Sequence, residues 1–487
     1  MPETAPDAAA LDAAVADLAE RFRAALDPPE RVGAPVDAAS LHARLAAPLP
    51  EAGTPIESVL AELVEAVSPG LVGSTHGGYL GFVTGGVLPA AAIAHAWAVA
   101  VDQNAGLWAL SPAATELEQV VTRWLAELLD LPHEAAVLTS GAAGANLVCL
   151  AVARHSVAKK CGVDVNADGV GALPPLGVYG STELHFTDVK ALRVLGLGTR
   201  VVRHVGVDEA FRFDLAELRE TVARDLADGV RPAVVIAHAG SAQTGAVDDL
   251  DAIADVCAEH DMWLHVDGAF GSFFRLCEWT APLVRGLERA DSVTVDGHKW
   301  LNLPNGIGIA FTRDRALHHE ALTGTASYLT RAPDSGDDLH EYAIEASRPW
   351  RGAAVWAALK SLGRDGVVEL VTRSCALARE LGALVEETPN LELTAPVSTC
   401  VVCFRYRPDG WQEGERLDDL NRRIQEALAH DLSVVATGGM LPSGFSLRPA
   451  FVHWRTSSED VRALVASTLR LGESTAMAIG LAEPESS

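Results

Sequence analysis

Apolar and polar positions alternate along the chain in two periods, one helical and one extended. Leu11, Val15, Leu18, Phe22 and Leu26 recur at helical spacing with Asp17, Glu20, Arg21 and Arg23 between them, which predicts an amphipathic helix ended by Pro28-Pro29. Its apolar stripe needs cover, from a partner or from its own chain. A second helix opens at Ser111-Pro112, with Leu117, Val120, Val121, Trp124, Leu125 and Leu128 as its buried face and Glu116 and Glu118 at its positive end. Short apolar runs then predict buried strands at 135–139, 178–179, 231–237, 263–267 and 292–295. Between them, a small-residue loop at 140–144 enters an apolar helix near Asn146, and Asp248-Asp249 begin another as acidic first-turn residues.

Beyond about Val367 helix and strand alternate. Strands are predicted over 391–405 and 446–454, and Thr456 with Glu459 reads as a capping box for the last helix. Residues 164–175 and 326–347 are polar or glycine- and proline-rich and read as loops. His318 and His319 read as a solvated helix face rather than metal ligands.

Length and composition narrow the picture. With 487 residues a large domain plus smaller ones is expected. A formal net charge of −27 argues against a nucleic-acid or anionic-membrane partner. Seven cysteines without framework spacing point to reduced thiols and a cytoplasmic location. Cys400 and Cys403 form a CxxC, but on a strand they face opposite sides, so core cysteines are the reading. The start of the chain lacks a basic segment followed by an apolar core, so no signal peptide is expected. The longest apolar run, 87–101, contains Pro89 and His95 and is too short to span a bilayer.

Two strand ends carry candidate chemistry. The strand 292–295 stops at the turn Asp296-Gly297, and His298-Lys299 follow with Trp300 and Leu301 behind. Desolvation disfavours an ammonium, so a lysine in such a place can act as a free amine in Schiff-base chemistry; the alternative is a solvated loop lysine. The strand 263–267 ends on Asp267. The separation, 299 − 267 = 32 residues, is the length of a strand–crossover–strand unit. Both residues would then stand at the carboxyl ends of parallel strands, where open α/β sheets bind ligands. A Schiff-base lysine facing an aspartate suits pyridoxal 5'-phosphate (PLP): the lysine holds the aldehyde carbon and the carboxylate keeps the pyridine nitrogen protonated.

Five motifs in order carry a resemblance to a known family. SPAATELE (111–118), TSGAAGAN (139–146), STELHFT (181–187), HVDGAFG (265–271) and DGHKWLN (296–302) resemble the group II PLP-dependent decarboxylases, which include aromatic-L-amino-acid, glutamate and cysteine-sulfinate decarboxylases. The resemblance runs from about Ser68 to Leu471. It implies an α/β chain: a fold-type I (aspartate-aminotransferase-like) large domain with a mainly parallel sheet at 89–366, an N-terminal helical, dimer-packing segment at 1–88 and a small α+β domain at 367–487. It implies a homodimer.

The same resemblance implies the site. Gly141, Ala142 and Ala143 would hold the phosphate with His298 nearby, and His185 would stack on the ring. Ser241, Asp267, Ala269 and Lys299 complete the cofactor set. Tyr79, Phe82 and Thr84, in a glycine-rich stretch with Gly77 and Gly78, would line the substrate pocket. Arg448 matches an arginine that binds the substrate carboxylate in some relatives, with a surface salt bridge as the alternative. A catalytic-loop tyrosine would return a proton to the α-carbon; Tyr342 is the candidate here, besides Tyr328. Ala242, Asn305 and Gly306 depart from the family pattern. The activity implied is decarboxylation of an L-amino acid, aromatic or neutral, to amine and CO2. The alternatives are decarboxylative oxidative deamination to an aldehyde, another PLP lyase or aminotransferase reaction, or a retired binding protein on this fold.

Overall fold

The computed structural model describes residues 8–34, 36–132, 134–324 and 335–482. Tyr328 lies outside the described residues. Seven strands form the main sheet: β1 (Ala135–Thr139), β2 (Leu176–Ser181), β3 (Val202–Val205), β4 (Arg231–His238), β5 (Trp263–Asp267), β6 (Ser292–Asp296) and β7 (Gly308–Thr312). Their order is β1-β7-β6-β5-β4-β2-β3. From β6 through β5, β4 and β2 to β3 the neighbours are parallel, while β7 is antiparallel to both β6 and β1. Every residue of β5, β6 and β7 is buried. That explains why these strands read as unbroken apolar runs rather than alternating ones: helices cover both faces of a mainly parallel sheet.

Four short antiparallel strands form a second sheet: β8 (Leu391–Leu393), β9 (Phe404–Tyr406), β10 (Thr437–Leu441) and β11 (Gly444–Arg448), in the order β10-β11-β9-β8. The single strand expected over 391–405 is therefore two, paired from Leu391 to Tyr406. Pro396 sits in the interval and cannot donate to a ladder. Likewise β11 stops at Arg448, because Pro449 follows it. Cys400 and Cys403 lie just before β9, both buried, so the CxxC is core.

The helix Gly352–Glu387 links the two sheets. It breaks at Gly363, whose φ of 62° and ψ of −178° are not helical, and it packs on the helices Pro89–Ala100, Pro112–Leu128 and Ser458–Ala482. Several local expectations change on burial. Glu118 does not serve a helix end: it is buried, ion-paired with Arg348 and accepts the Leu138 N–H at 3.1 Å. Asp249 caps its helix, but Asp248 is buried and accepts N–H groups from Phe213 and His238. The last helix is capped by Ser457, whose N–H and hydroxyl both reach Asp460 Oδ2 at 2.8 Å; Thr456 instead donates to Gly77 O. His318 is no solvated residue: it is buried, 2.8 Å from both Thr312 Oγ1 and Tyr342 O, while His319 is half-exposed beside Glu341.

The N-terminal helix Ala8–Ala25 rests on Ile56–Val67 and buries none of its residues within this chain. Leu11, Val15 and Leu18 stay exposed. Among the described residues no helix is long and apolar enough to cross a membrane.

Candidate active site

Lys299 stands in the turn after β6, and its neighbours fix that turn. Asn302 adopts φ 48°, a left-handed conformation that asparagine tolerates better than most residues. From there its amide N–H groups donate to Lys299 O, Trp300 O and Val452 O at 2.9–3.1 Å, and its carbonyl accepts the Trp454 N–H at 3.0 Å. Trp300 is fully buried and donates its indole N–H to Phe270 O at 2.7 Å. Gly85 passes beneath the turn, its N–H on His298 O; a Cβ there would fall 2.1 Å from Lys299 O. The apolar wall expected behind the lysine is present as Trp300, Phe270, Phe273 and Phe274, and Lys299 Nζ lies 5.3 Å from the Phe270 ring centre.

Lys299 opens into a cavity of about 390 Å³ at the carboxyl ends of β4, β5 and β6. Strand register assembles its floor: His238 at the end of β4 pairs with Asp267 at the end of β5, which pairs with Thr294 of β6. Asp267 is buried, accepts the Ala269 N–H at 3.0 Å and the Asn146 amide at 3.1 Å, and keeps further lone pairs for a ligand. Burial alone would raise its carboxyl; His238, Lys299 and the Ala269 N–H outweigh that and hold it below the usual carboxylate range.

At one end of the cavity β1 passes through Ser140 into the helix Ala142–Lys160, which begins four residues before its expected start. Gly141 is the N-cap at φ 109°, a conformation that favours glycine, and it offers no capping side chain. The first-turn N–H groups therefore face the cavity with the positive end of the helix dipole. One of them, Ala142 N–H, goes to Asp296 Oδ2 at 3.1 Å, while Asp296 Oδ1 lies 2.7 Å from His298 Nδ1. Gly308 runs so close that a Cβ would meet the Gly141 backbone at 2.3 Å.

The opposite wall carries His185, Phe82, Val83, Thr84 and Arg448. His185 Nδ1 sits 2.6 Å from Thr187 Oγ1, which holds the ring; burial lowers its pKa, with the Asp267 charge opposing. Phe82 is in the left-handed region at φ 56° and largely exposed at the mouth. Its N–H is bound by Thr437 Oγ1 and its carbonyl by Arg448. Arg448 is buried, and its guanidinium also bonds Ala242 O and Thr437 Oγ1, so it is no surface salt bridge.

Three expected site residues are elsewhere. Ser241 does not line the cavity; it is buried, donating to Glu183 and accepting from Gln243 and Thr244. Tyr79 is half-buried and bridges by its backbone to Val435. Tyr342, the expected proton donor, is buried between His318, His319 and Arg315, because the short helix Leu339–Tyr342 packs on Arg315–Leu322 beneath the sheet. Gly77 and Gly78 do not shape the cavity either. They let the chain meet the Arg455 and Ser433 backbones, where a Cβ would approach to 2.9 and 2.1 Å.

Sequence reasoning missed three residues that hold the site. Asn146 was read only as a helix start, yet it binds both Asp267 and, at 3.2 Å, His265. His238 ends a strand as Asp267 does, and that shared position was its only signal. Asp188 was hidden in a helix first turn and is fully buried near both. The donor set fits PLP on its own chemistry: an amine for an aldehyde, a buried carboxylate with free lone pairs for a ring nitrogen, and helix-entry amides, of which Asp296 takes only that of Ala142, for a phosphate.

Comparison with known proteins agrees. The pyridoxal-dependent decarboxylase conserved domain matches residues 39–407. An aromatic-L-amino-acid decarboxylase of Bacillus atrophaeus is 27% identical over 442 residues, 90% of each chain. A phenylacetaldehyde synthase of Arabidopsis thaliana is 29% identical over 333 residues, 66% of each chain. The crystal structure of Oryza sativa TDC with PLP and tryptamine superposes with a TM-score of 0.87 at 26% identity, covering 97% of this chain and 99% of that one.

Proposed function

This chain belongs to the pyridoxal-dependent decarboxylase family, and from that premise we propose that it removes the α-carboxylate of an aromatic L-amino acid, releasing CO2 and the aromatic amine. That it is a PLP-dependent amino acid decarboxylase of fold-type I follows from the family. The aromatic substrate is our reading. Its support is the cavity wall: Phe82, Val83 and Phe270 are apolar, and the one arginine on that wall, Arg448, already spends its guanidinium on three oxygens. A substrate with a side-chain carboxylate would need a cation free to meet it.

PLP, when bound, supplies an aldehyde that an amine can bond and a ring that takes up the electron pair left by CO2. Lys299 Nζ would be the amine that holds that aldehyde, and as a free amine it could take or give a proton in the cavity. Asp267 would keep a proton on the ring nitrogen. His185 would lie on one ring face, with Thr187 fixing its plane. The helix-entry amides of Gly141 and Ala143, with His298, would bind the phosphate, the Ala142 N–H being held by Asp296 Oδ2, and Ala269 would serve through the N–H that orients Asp267. Phe82 and Thr84 would shape the substrate side and orient the carboxylate that is to be lost.

We further assign residues 1–88 to a dimer-packing segment, 89–366 to the cofactor domain and 367–487 to the small domain. A homodimer is supported by the uncovered apolar stripe of Ala8–Ala25, and a cytoplasmic location by seven cysteines free of disulfides. One observation favours a second reading. Tyr342 does not line the cavity, and a relative is a phenylacetaldehyde synthase, so decarboxylation with oxidative deamination is the alternative.

The test is kcat/KM for L-tryptophan, L-tyrosine and L-phenylalanine against L-glutamate and L-cysteine sulfinate. An advantage of about 100-fold or more for an aromatic substrate is expected, the scale of a charged side chain buried without a partner. Preference for an acidic substrate would overturn the assignment.

A further inference from the structure

Asp188 lies beneath the cavity in the first turn of the helix Phe186–Val194 and is fully buried. Neither of its carboxylate oxygens has a close hydrogen-bond partner among the described residues. His238 Nε2 is 3.9 Å from Asp188 Oδ2, but that nitrogen already accepts the His185 N–H at 3.4 Å. The Asn146 amide donates to Asp267 Oδ2 at 3.1 Å and gives Asp188 only a longer, weaker hydrogen bond, which opposes the effect of burial. One polar atom from each of Asp188, His238 and Asp267 lies within 4.8 Å of the other two. The charged or ionisable groups facing Asp188 are thus His238 from β4, Asp267 from β5 and Lys299 beyond β6; the helix Ala142–Lys160 packed against it contributes the uncharged Asn146.

Two carboxylates this close and this deeply buried are not both ionised without a strong compensating partner. The partners are divided unequally. Asp267 has two hydrogen-bond donors within 3.1 Å, and Asp188 has none that close. Burial, and then the charge of Asp267, push the Asp188 carboxyl well above the usual carboxylate range, whereas Asp267 stays below it. Like-charge pairs of this kind hold one proton between them.

We propose that Asp188 is a positioning residue: it stays a neutral carboxylic acid, presents its O–H toward Asp267 and His238, and leaves one negative charge, on Asp267, to meet the cofactor's ring nitrogen. An O–H directed at Asp267 lowers the proton affinity of that carboxylate, so the proton between Asp267 and the ring stays on nitrogen. The proposal rests on reading Asp267 as the partner of the ring nitrogen.

The test compares wild type with Asp188→Asn and Asp188→Leu. A carboxyl whose folded pKa is raised above its unfolded value favours folding at low pH, and that contribution is lost as pH rises toward the folded value. The urea midpoint of cofactor-free D188N, relative to wild type, should therefore climb as pH rises above the ordinary carboxylate range. The infrared spectrum of cofactor-free wild type at neutral pH should hold a protonated-carboxyl band missing from both variants. With PLP bound, D188N should keep the wild-type pH profile of cofactor absorbance, while D188L should shift its midpoint by about one pH unit, tenfold in the equilibrium. A pH-independent stability difference, or no such band, overturns the neutral acid. Those two readouts involve no cofactor, so they stand or fall apart from the decarboxylase reading. A D188N profile displaced as far as that of D188L would overturn the positioning role.

Discussion

His318 shows how far one residue's surroundings can reverse its chemistry. On the helix Arg315–Leu322 it stands between Leu317 and His319, and there it is buried between Thr312 and Tyr342, where burial pulls its pKa down to about 4. The unfolded chain binds a proton near pH 6.5, so below that the unfolded state gains protons that folded His318 refuses, and stability falls with pH. We expect this residue to cost the protein on the order of 3 kcal/mol between about pH 6.5 and pH 4, and His318→Gln to remove that share from the acid limb of a urea-melt pH series. His265 and His453 are displaced in the same direction, so the variant should flatten the limb without abolishing it. At this scale the sequence is legible where a charged residue ends an apolar strand or stands in the turn just after one, as Asp267 and Lys299 do. It was illegible where partners come from distant segments: nothing near Tyr342 announces His318, and nothing near Asp188 announces Asp267.

Among the elements, the turn 297–302 matters most, because it hangs Lys299 between the main sheet and the segment following the second. Asn302 is the tie, with four hydrogen bonds made from a left-handed backbone. Asn302→Ala should destabilise the cofactor-free protein by about 2–4 kcal/mol, since it strands buried carbonyls and leaves alanine at φ > 0. A urea melt reads the loss, and equilibrium dialysis should show weaker PLP retention. Strands β1, β4, β5 and β6 were readable because burial on both faces makes them continuous apolar runs. The second sheet was misread because its strands are three to five residues long and its prolines at 396 and 449 cut runs that look continuous. The entry of the helix Ala142–Lys160 was placed late because alanine and glycine carry no polar capping signal.

Across the whole molecule, the chain leaves apolar surface uncovered in places that its own folding cannot cover. Leu11, Val15 and Leu18 on the first helix and Ile93, Trp97 and Val99 on Pro89–Ala100 are all exposed. Burying such side chains against a second copy would contribute about 1.5–3 kcal/mol each toward the proposed dimer. Leu18→Asp should shift sedimentation from dimer toward monomer; an unchanged monomer in the wild type would contradict the dimer. The helix stripe was legible from its spacing, but a single sequence does not say what covers it.

The most direct test of the central claim is the product balance of the PLP-loaded protein fed an aromatic L-amino acid, with Lys299→Ala as the blank. One CO2 and one amine released per substrate consumed, both absent from the variant, is the predicted result. CO2 with aldehyde, ammonia and peroxide in place of amine, or no CO2 at all from a protein whose Lys299–cofactor adduct can still be reduced, would contradict it.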